Sequence, residues 1–210
     1  MTYTSIVGET VTEKIIEKSR FLVYAAHIES EEGAKAYLAS IRAAHPMATH
    51  VCYGYIADKI GTLQRFSDDG EPQGTAGMPI LGVLKAQKLC ETVVAVVRYF
   101  GGIKLGAGGL TRAYAGCAAE GIEAAEKRMY ETCVELTVSV DYSEVNAALR
   151  FLENAEVLAK NFGQVAEFVV AVPEREEQSF TDHTRDFFNG KVQITAGKRY
   201  FYPFQNTIKN

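Results

Sequence analysis

The chain lacks the features that mark membrane-spanning and secreted proteins. It has no stretch of about eighteen uncharged apolar residues, which a membrane-crossing helix needs. Its longest apolar region, residues 93–97, has the size of a strand and ends at Arg98. Residues 1–20 contain three acidic residues, Glu9, Glu13 and Glu17, and no long apolar run, so they do not predict a secretory signal. We therefore expect a cytoplasmic protein without membrane contact.

Cysteine is scarce and widely spaced. The four cysteines stand at positions 52, 90, 117 and 133, and no two of them form a CxxC pair. This spacing indicates no disulfide framework. A chain of 210 residues buries enough surface to be stable without such cross-links. We expect free thiols in a reducing compartment.

The chain also has no excess of positive charge. Its formal net charge is -4, which argues against a generally basic nucleic-acid coat. Residues 1–130 carry 14 basic and 14 acidic residues, whereas residues 131–210 carry 8 and 12. Ten of the 18 glycines lie between positions 70 and 116. The centre of the first part is therefore the neutral-to-basic, glycine-rich region where a ligand is most expected.

The apolar pattern of the first part predicts four strands, at 9–16, 20–28, 50–57 and 62–67. Ser30 is expected to cap a helix that continues to Ala44 and stops before Pro46. Helical spacing returns at 78–89. Residues 92–100 are apolar on both faces and predict a central strand, which an alanine-rich helix at 108–127 follows directly.

The second part predicts the order βαββαβ. Strands are expected at 132–140, 157–161, 165–172 and 192–202, with a helix capped by Ser143 up to residue 154 and a polar helix at 174–188. This is the split-βαβ, ferredoxin-like arrangement. We expect an α+β fold with two domains, 1–130 and 131–210.

The densest candidate site is the segment RYFGGIKLGAGGLTRAY, residues 98–114, which joins the central strand to the long helix. Glycines allow close backbone approach, and the first amides of a helix are unpaired donors that attract anions. Flanking cationic side chains add charge. The segment predicts a phosphate site, for a free phosphate, a nucleotide or an RNA backbone. Its predicted ligands are Arg98, Gly101, Gly102, Lys104, Gly106, Gly108, Gly109 and Arg112.

The spacing in this segment does not match the standard nucleotide motifs. Lys104 precedes Gly106, so the segment is not a P-loop, and Thr111 stands where a dinucleotide fingerprint needs glycine. The alternative interpretation is that the glycines only make a tight strand-to-helix connection with close helix–sheet packing.

A second candidate is the acidic turn, RFSDDGEPQGTAGMPI, residues 65–80. Asp68, Asp69 and Glu71 could hold Mg²⁺ beside a phosphate. Asp-Gly and Glu-Pro pairs more often simply build turns. A third interpretation is an anion nest made by Thr75 and the amides of Gly74, Ala76 and Gly77.

His45, His50 and Cys52 lack a fourth ligand at suitable spacing, so the sequence predicts no zinc site and favours a hydrogen-bonded histidine near the sheet edge. Cys117 is expected to be a buried, inert thiol. No nucleophile with an adjacent base can be proposed. We predict no catalytic residue, no metal and no cofactor.

Four motifs together resemble the IMPACT family, in its bacterial YigZ-like branch: KSRF (18–21), HPMATHVCYGY (45–55), SDDGEPQGTAGMPIL (67–81) and VVRYFGGIKLGAGGLTRAY (96–114). The resemblance implies a first domain like the second domain of a small-subunit ribosomal protein. It implies a second domain like the last, ferredoxin-like domain of elongation factor G. Residues of the motifs and of the acidic turn form a secondary set of site candidates: Lys18, Arg20, His45, His50, Arg65, Asp68, Asp69, Glu71, Gly74, Thr75 and Gly77.

Both implied folds point toward translation. We expect a non-enzymatic regulatory protein that binds RNA, the ribosome or a translation factor through the glycine loop, with no specificity for DNA. The alternative is a phosphotransferase or hydrolase that acts on a small phosphorylated compound with Mg²⁺. A third hypothesis is an interaction module whose acidic second domain docks a partner.

Overall fold

The computed structural model describes residues 2–204, which form two compact units. The N-terminal unit is Tyr3–Met129, and the C-terminal unit begins at Tyr130 and includes Thr2. Each unit contains its own hydrophobic core. The α+β class predicted from the sequence is confirmed. No helix in residues 2–204 combines the length and apolar composition that crossing a bilayer requires.

The N-terminal unit is built on an antiparallel sheet with the strand order β2-β3-β6-β4-β5. In chain order, the first seven strands are β1 (Thr2–Ile6), β2 (Glu9–Ile16), β3 (Ser19–His27), β4 (His50–Ile56), β5 (Gln64–Ser67), β6 (Thr92–Tyr99) and β7 (Lys127–Val140), and most of β7 belongs to the C-terminal unit. The helices are α1 (Glu31–Ala44), α2 (Gly77–Ala86) and α3 (Gly106–Ala124).

Strand β6 is the centre of this sheet, and all of its residues except Tyr99 are buried. Val94 and Val96 pack into the core that α2 and α3 cover. Val93 and Ala95 belong to the cores on the α1 side. An apolar strand without alternation is what a sheet covered on both faces requires, so the prediction of a central strand is confirmed.

Helix α1 begins where its sequence predicts. The Ser30 hydroxyl accepts a hydrogen bond from the Gly33 amide at 3.1 Å, and Glu31 and Glu32 stand at the positive end of the helix dipole. The helix ends at Ala44, before Pro46. The serine cap at this position is confirmed.

The C-terminal unit has the predicted ferredoxin-like arrangement. Its strands lie in the order β8-β9-β7, with β10 on the other side of β7, and β9 runs antiparallel to both β7 and β8. Alternate residues of β7, among them Leu136 and Val138, bury their side chains in a core with Leu152 and Phe188. The further elements are α4 (Val145–Phe151), β8 (Glu156–Phe162), β9 (Ala166–Pro173), α5 (Glu177–Phe187) and β10 (Gln193–Phe204).

One strand was missed by the sequence analysis, and two local predictions were wrong. Strand β1 was not predicted, because its buried Ser5 hides the apolar alternation; that hydroxyl bonds to His27 Nδ1 at 2.8 Å and to the Glu91 carbonyl at 3.1 Å. Helix α3 starts and ends earlier than predicted, so residues from Lys127 onward belong to β7. Ser143 caps no helix, because it lies in a 3-10 turn, Tyr142–Glu144, before α4.

Candidate functional site

The glycine loop, residues 100–105, connects β6 to α3 and lies largely on the surface. Phe100 is 46% exposed and Ile103 37% exposed. Helix α3 begins at Gly106, and no side chain caps it, since the N-cap residue is Leu105. The first amides of this long helix therefore point outward without a side-chain acceptor. Gly106 and Gly108 are both exposed there, while Gly109 packs against Leu105.

The start of the loop is held against the turn between β2 and β3. A Cβ on Gly101 would lie 2.0 Å from the carbonyl carbon of Lys18, so only glycine fits at position 101. Lys18 itself has a positive φ of 62°. Gly102 follows with a φ of +88°. The close approach places the backbone of Lys18, an exposed residue, directly beside the start of the loop.

Two of the three predicted cationic ligands of the loop are exposed. Lys104 and Arg112 both lie on the surface. Within residues 2–204, neither has a carboxylate in salt-bridge distance, and the same holds for Lys18. These three side chains are therefore available to an external anion.

Arg98 is placed differently from its prediction. It is 4% exposed, and its Nη1 donates to Glu71 Oε1 at 2.5 Å. Its Nη2 donates to the Ser19 hydroxyl at 3.2 Å, and this hydroxyl also accepts the Gly101 amide at 3.2 Å. The prediction that Arg98 is a surface phosphate ligand does not fit this geometry, because the guanidinium points inward. Arg98 instead helps to hold the start of the loop in place, because the Ser19 hydroxyl bonds to both its guanidinium and the Gly101 amide.

The buried guanidinium also lies beside two aromatic rings. Its central carbon is 5.4 Å from the ring centroid of Phe21 and 5.4 Å from that of Phe100. The Arg98 Nε is buried and has no hydrogen-bond partner among the described residues.

In the acidic turn, Asp68 occupies the anion nest that the sequence predicted. One carboxylate oxygen accepts the amides of Ala76 at 3.0 Å and Gly77 at 2.9 Å, and the other accepts Gly74 at 2.8 Å. Burial acts to raise the pKa of Asp68, but these three amides outweigh it and hold the pKa below its usual value. The prediction that Gly74, Thr75 and Gly77 bind an external anion is therefore wrong. The Thr75 hydroxyl donates to the Pro72 carbonyl at 2.6 Å.

The other two carboxylates of the turn also have internal partners. Asp69 accepts the Val51 amide at 2.6 Å and lies 2.8 Å from Arg42 Nη2. Glu71 accepts Arg98 and, at 2.8 Å, the hydroxyl of Tyr114. Burial raises the pKa of Tyr114, so it remains a donor. The described residues contain no group of three His, Cys, Asp or Glu side chains arranged for a metal ion.

The two candidate histidines serve separate structural networks. His45 Nε2 bonds to the Tyr24 hydroxyl at 2.6 Å, and its Nδ1 bonds to the Tyr99 hydroxyl at 2.8 Å. His50 Nδ1 bonds to the Asp69 carbonyl at 2.8 Å, while its Nε2 stands 3.8 Å from Glu71 Oε1. The structure thus brings His50, but not His45, to the Arg98–Glu71 pair.

The remaining candidates near the sheet are also engaged within the unit. The Cys52 thiol donates to the Asp68 carbonyl at 2.9 Å, and burial raises its pKa to about 12. Arg20 forms two hydrogen bonds to Glu13, at 2.7 and 2.9 Å. Arg65 lies 3.5 Å from Glu31.

Sequence reasoning missed two residues that position the loop. Ser19 links Arg98 to Gly101, and the Thr49 hydroxyl accepts the Phe100 amide at 3.0 Å. Both residues lie inside two of the family motifs, KSRF and HPMATHVCYGY, and membership of these motifs was the only feature of the sequence that could have indicated them. Their partners lie far along the chain, which periodicity does not reveal.

Comparison with known proteins identifies the family of the domain that contains this site. Residues 17–122 match the Impact N-terminal domain, and this range includes the acidic turn, the glycine loop and the Arg98–Glu71 pair. The N-terminal unit is therefore an Impact-type domain.

Full-length relatives then establish the family. The chain is 37% identical over 203 residues to the IMPACT family member YvyE of Bacillus subtilis (strain 168), covering 94% of this chain and 92% of the relative. It is 35% identical over 191 residues to the IMPACT family member YigZ of Escherichia coli (strain K12), covering 89% and 93%. The chain belongs to the IMPACT family, as its motifs predicted.

A solved structure supports the same fold over almost the whole chain. A crystal structure of a hypothetical protein superposes with a TM-score of 0.62 at 31% sequence identity. The match covers 94% of this chain and 98% of the other.

Proposed function

We propose that this protein is a non-enzymatic regulator linked to translation, and that its glycine loop binds RNA. The observation that carries the proposal is the contrast between two helix starts in the N-terminal unit. The first amides of α2 hold the Asp68 carboxylate, whereas α3 begins without a side-chain cap. An uncapped helix start attracts phosphate through its amides and its dipole. Phosphate is the group that every RNA presents.

The charges around the loop favour an extended ligand. Lys18, Lys104 and Arg112 are exposed on the β2–β3 turn, the loop and the helix, so positive charge is distributed over a surface. A small phosphorylated metabolite binds in a concave pocket, whereas an RNA backbone binds along a charged surface.

The contacts of the acidic turn weigh against the enzymatic alternative. Asp68, Asp69 and Glu71 each already accept hydrogen bonds from amides or side chains of the chain itself. A carboxylate that binds Mg²⁺ or acts as a base must have oxygens free for that role. Asp68 and Asp69 use both of their oxygens in such contacts, and Glu71 bonds to Arg98 and Tyr114 through Oε1, so these carboxylates have a structural role.

The link to translation rests on the family resemblance and on the kind of ligand. The resemblance associates the two domains with a ribosomal protein and with elongation factor G, so we place the RNA in or near the ribosome and the protein in the cytoplasm. The direct test is therefore binding of RNA.

The test is the salt dependence of RNA binding to the full chain. Each phosphate contact that is removed lowers the slope of log K against log salt by about one. We expect Lys104→Ala and Arg112→Ala each to lower this slope by about one, and the double variant by about two. Lys160→Ala is the matched control, because Lys160 is an exposed lysine on β8 of the C-terminal unit. A double variant that keeps the parental slope would contradict the proposal.

Ribosome cosedimentation provides the physiological readout. The parental chain should sediment with ribosomes at low salt and be released as salt rises, since phosphate contacts release counterions. The Lys104→Ala/Arg112→Ala variant should be released at lower salt. Equal retention of both proteins would show that the loop does not make the contact.

A further inference from the structure

One aromatic side chain of the loop is exposed where burial would be expected. Three aromatic residues flank the loop: Tyr99, Phe100 and Tyr114. Tyr114 is fully buried and bonds to Glu71, and the Tyr99 hydroxyl bonds to His45. Phe100 is 46% exposed, although it follows directly on the buried strand β6. Its ring therefore contributes little to the core and is available to a ligand.

The backbone and the ring of Phe100 are both held in place. The Phe100 amide donates to the Thr49 hydroxyl at 3.0 Å. The ring lies beside the Arg98 guanidinium, whose carbon is 5.4 Å from the ring centroid. Glu71 and Ser19 hold that guanidinium in turn. Ordering this side chain therefore costs less on binding than ordering a free surface residue.

The β2–β3 turn, the glycine loop and the first turns of α3 carry exposed positive charge of the kind that binds a nucleic acid. Lys18, Lys104 and Arg112 have no ion-pair partner in the described part of the chain. Proteins that bind single-stranded nucleic acid combine such unpaired cations with aromatic rings on which bases stack. A duplex RNA keeps its bases paired inside and is contacted through phosphates and 2′-hydroxyls. An exposed ring beside the phosphate contacts can therefore stack on an unpaired base but not on a base paired inside a duplex.

Building on the function proposed above, we propose that Phe100 is a stacking platform for an unpaired base, so that the glycine loop selects single-stranded RNA over duplex RNA. The Arg98–Glu71 pair sets the position of the platform. The cations bind the phosphates of single-stranded and duplex RNA alike, and the ring adds affinity for the single strand only.

The first experiment compares a single-stranded RNA with a duplex of the same sequence and length, using the full chain at one fixed salt concentration. Phe100→Ala should weaken single-strand binding by about 5- to 150-fold, the range of base–aromatic stacking, and leave duplex binding unchanged. Its salt slope should equal that of the parent, because no charge is removed. Phe162→Ala is the control, since Phe162 is 58% exposed on β8 of the C-terminal unit and should change neither affinity.

The absence of tryptophan from the chain allows a second, independent readout. Phe100→Trp places the sole tryptophan at the platform and retains a ring that can stack. Single-stranded RNA should quench its fluorescence, and the duplex should not. This variant also keeps the proposal testable if Phe100→Ala fails to fold.

The outcomes separate this inference from the function on which it rests. Equal affinity for both RNA forms, unaffected by Phe100→Ala but with the salt slope still lowered by Lys104→Ala, would overturn the stacking platform and leave RNA binding intact. An unquenched Phe100→Trp that still binds single strands would also overturn it. Failure of the parental chain to bind either form would overturn both proposals.

Discussion

Arg98 is the residue on which the geometry of the loop depends. It connects the buried Glu71 carboxylate to the Ser19 hydroxyl, and this hydroxyl accepts the Gly101 amide. A charge buried this deeply is tolerated only with a bonded partner. The ion pair therefore fixes the acidic turn and the start of the glycine loop relative to each other.

Removing the positive member of this pair should be strongly destabilising. Arg98→Met leaves the buried Glu71 carboxylate without its guanidinium partner, and we expect the free energy of unfolding to fall by about 3–5 kcal/mol in urea titrations. The double variant Arg98→Met/Glu71→Leu should recover most of the loss, because no buried charge remains. Arg20→Met, which breaks an exposed pair with Glu13, should have a much smaller effect. Equal losses in the two single variants would contradict this account.

Asp68 makes a second prediction, for pH. Its folded-state pKa lies below its ordinary value, so its ionised form stabilises the folded state. This contribution is complete above the unfolded-state pKa of about 3.9 and is lost as pH falls through the lower folded-state value. Asp68→Asn should therefore unfold more easily than the parent near pH 7, and the difference should shrink below about pH 4. Urea titrations at several pH values measure it, and a pH-independent difference would exclude the linkage.

At this scale the sequence predicted which residues are unusual but not how they pair. Glu71 and Arg98 are 27 positions apart, and Asp68 bonds to amides six to nine positions away. From the sequence, the carboxylates of Asp68 and Glu71 were candidates for binding an external Mg²⁺ ion. Local pattern shows that a charged residue is present, and only the fold shows that its partner is already in the chain.

Among the elements, α3 illustrates how one helix uses glycine in opposite ways. A Cβ at Gly116 would meet no atom within 4 Å, whereas a Cβ at Gly121 would lie 2.6 Å from Val23 Cγ1 on β3. The first glycine costs helix stability without a packing benefit. The second allows the helix to approach the sheet closely.

This contrast gives a matched pair of variants on one helix. Gly116→Ala should raise the free energy of unfolding by about 0.5–1 kcal/mol, because alanine loses less conformational entropy in a helix. Gly121→Ala should lower it, because the sheet must move to admit the methyl group. Thermal or urea unfolding measures both. If both variants are stabilised, the close contact between α3 and β3 is not rigid.

The elements with strong periodicity or strong caps were predicted well from the sequence. Strand β6 has a continuous apolar run and α1 has a serine cap, and both lie where the pattern indicates. Strand β1 failed because its Ser5 is buried through hydrogen bonds and not through apolar character. Ser143 failed because a cap residue can equally well belong to a short 3-10 turn.

At the scale of the whole molecule, the reactivity of the four thiols measures how well the folded chain excludes solvent from its interior. Cys52, Cys117 and Cys133 are buried, and Cys90 is partly exposed. Burial raises the pKa of Cys52 to about 12 and that of Cys117 to about 11. A thiol reagent acts on the thiolate, so burial slows its reaction twice, through access and through ionisation.

We therefore expect a thiol titration of the native chain to show one faster cysteine and three that react only on unfolding. Cys90→Ser should remove the faster phase. Its own pKa is also raised by burial, so even this phase should be slow compared with a free thiol. Four rapidly reacting thiols would mean that the units open far more readily than their packing indicates.

The buried ion pair beneath the loop has a consequence for inheritance. In a related sequence, replacing Glu71 by a neutral residue would leave the buried Arg98 guanidinium without its carboxylate partner. Replacing Arg98 would leave the buried Glu71 carboxylate without its guanidinium partner. Mutation supplies one change at a time, and either single step is damaging. Positions 71 and 98 should therefore persist together through divergence or be replaced as a pair.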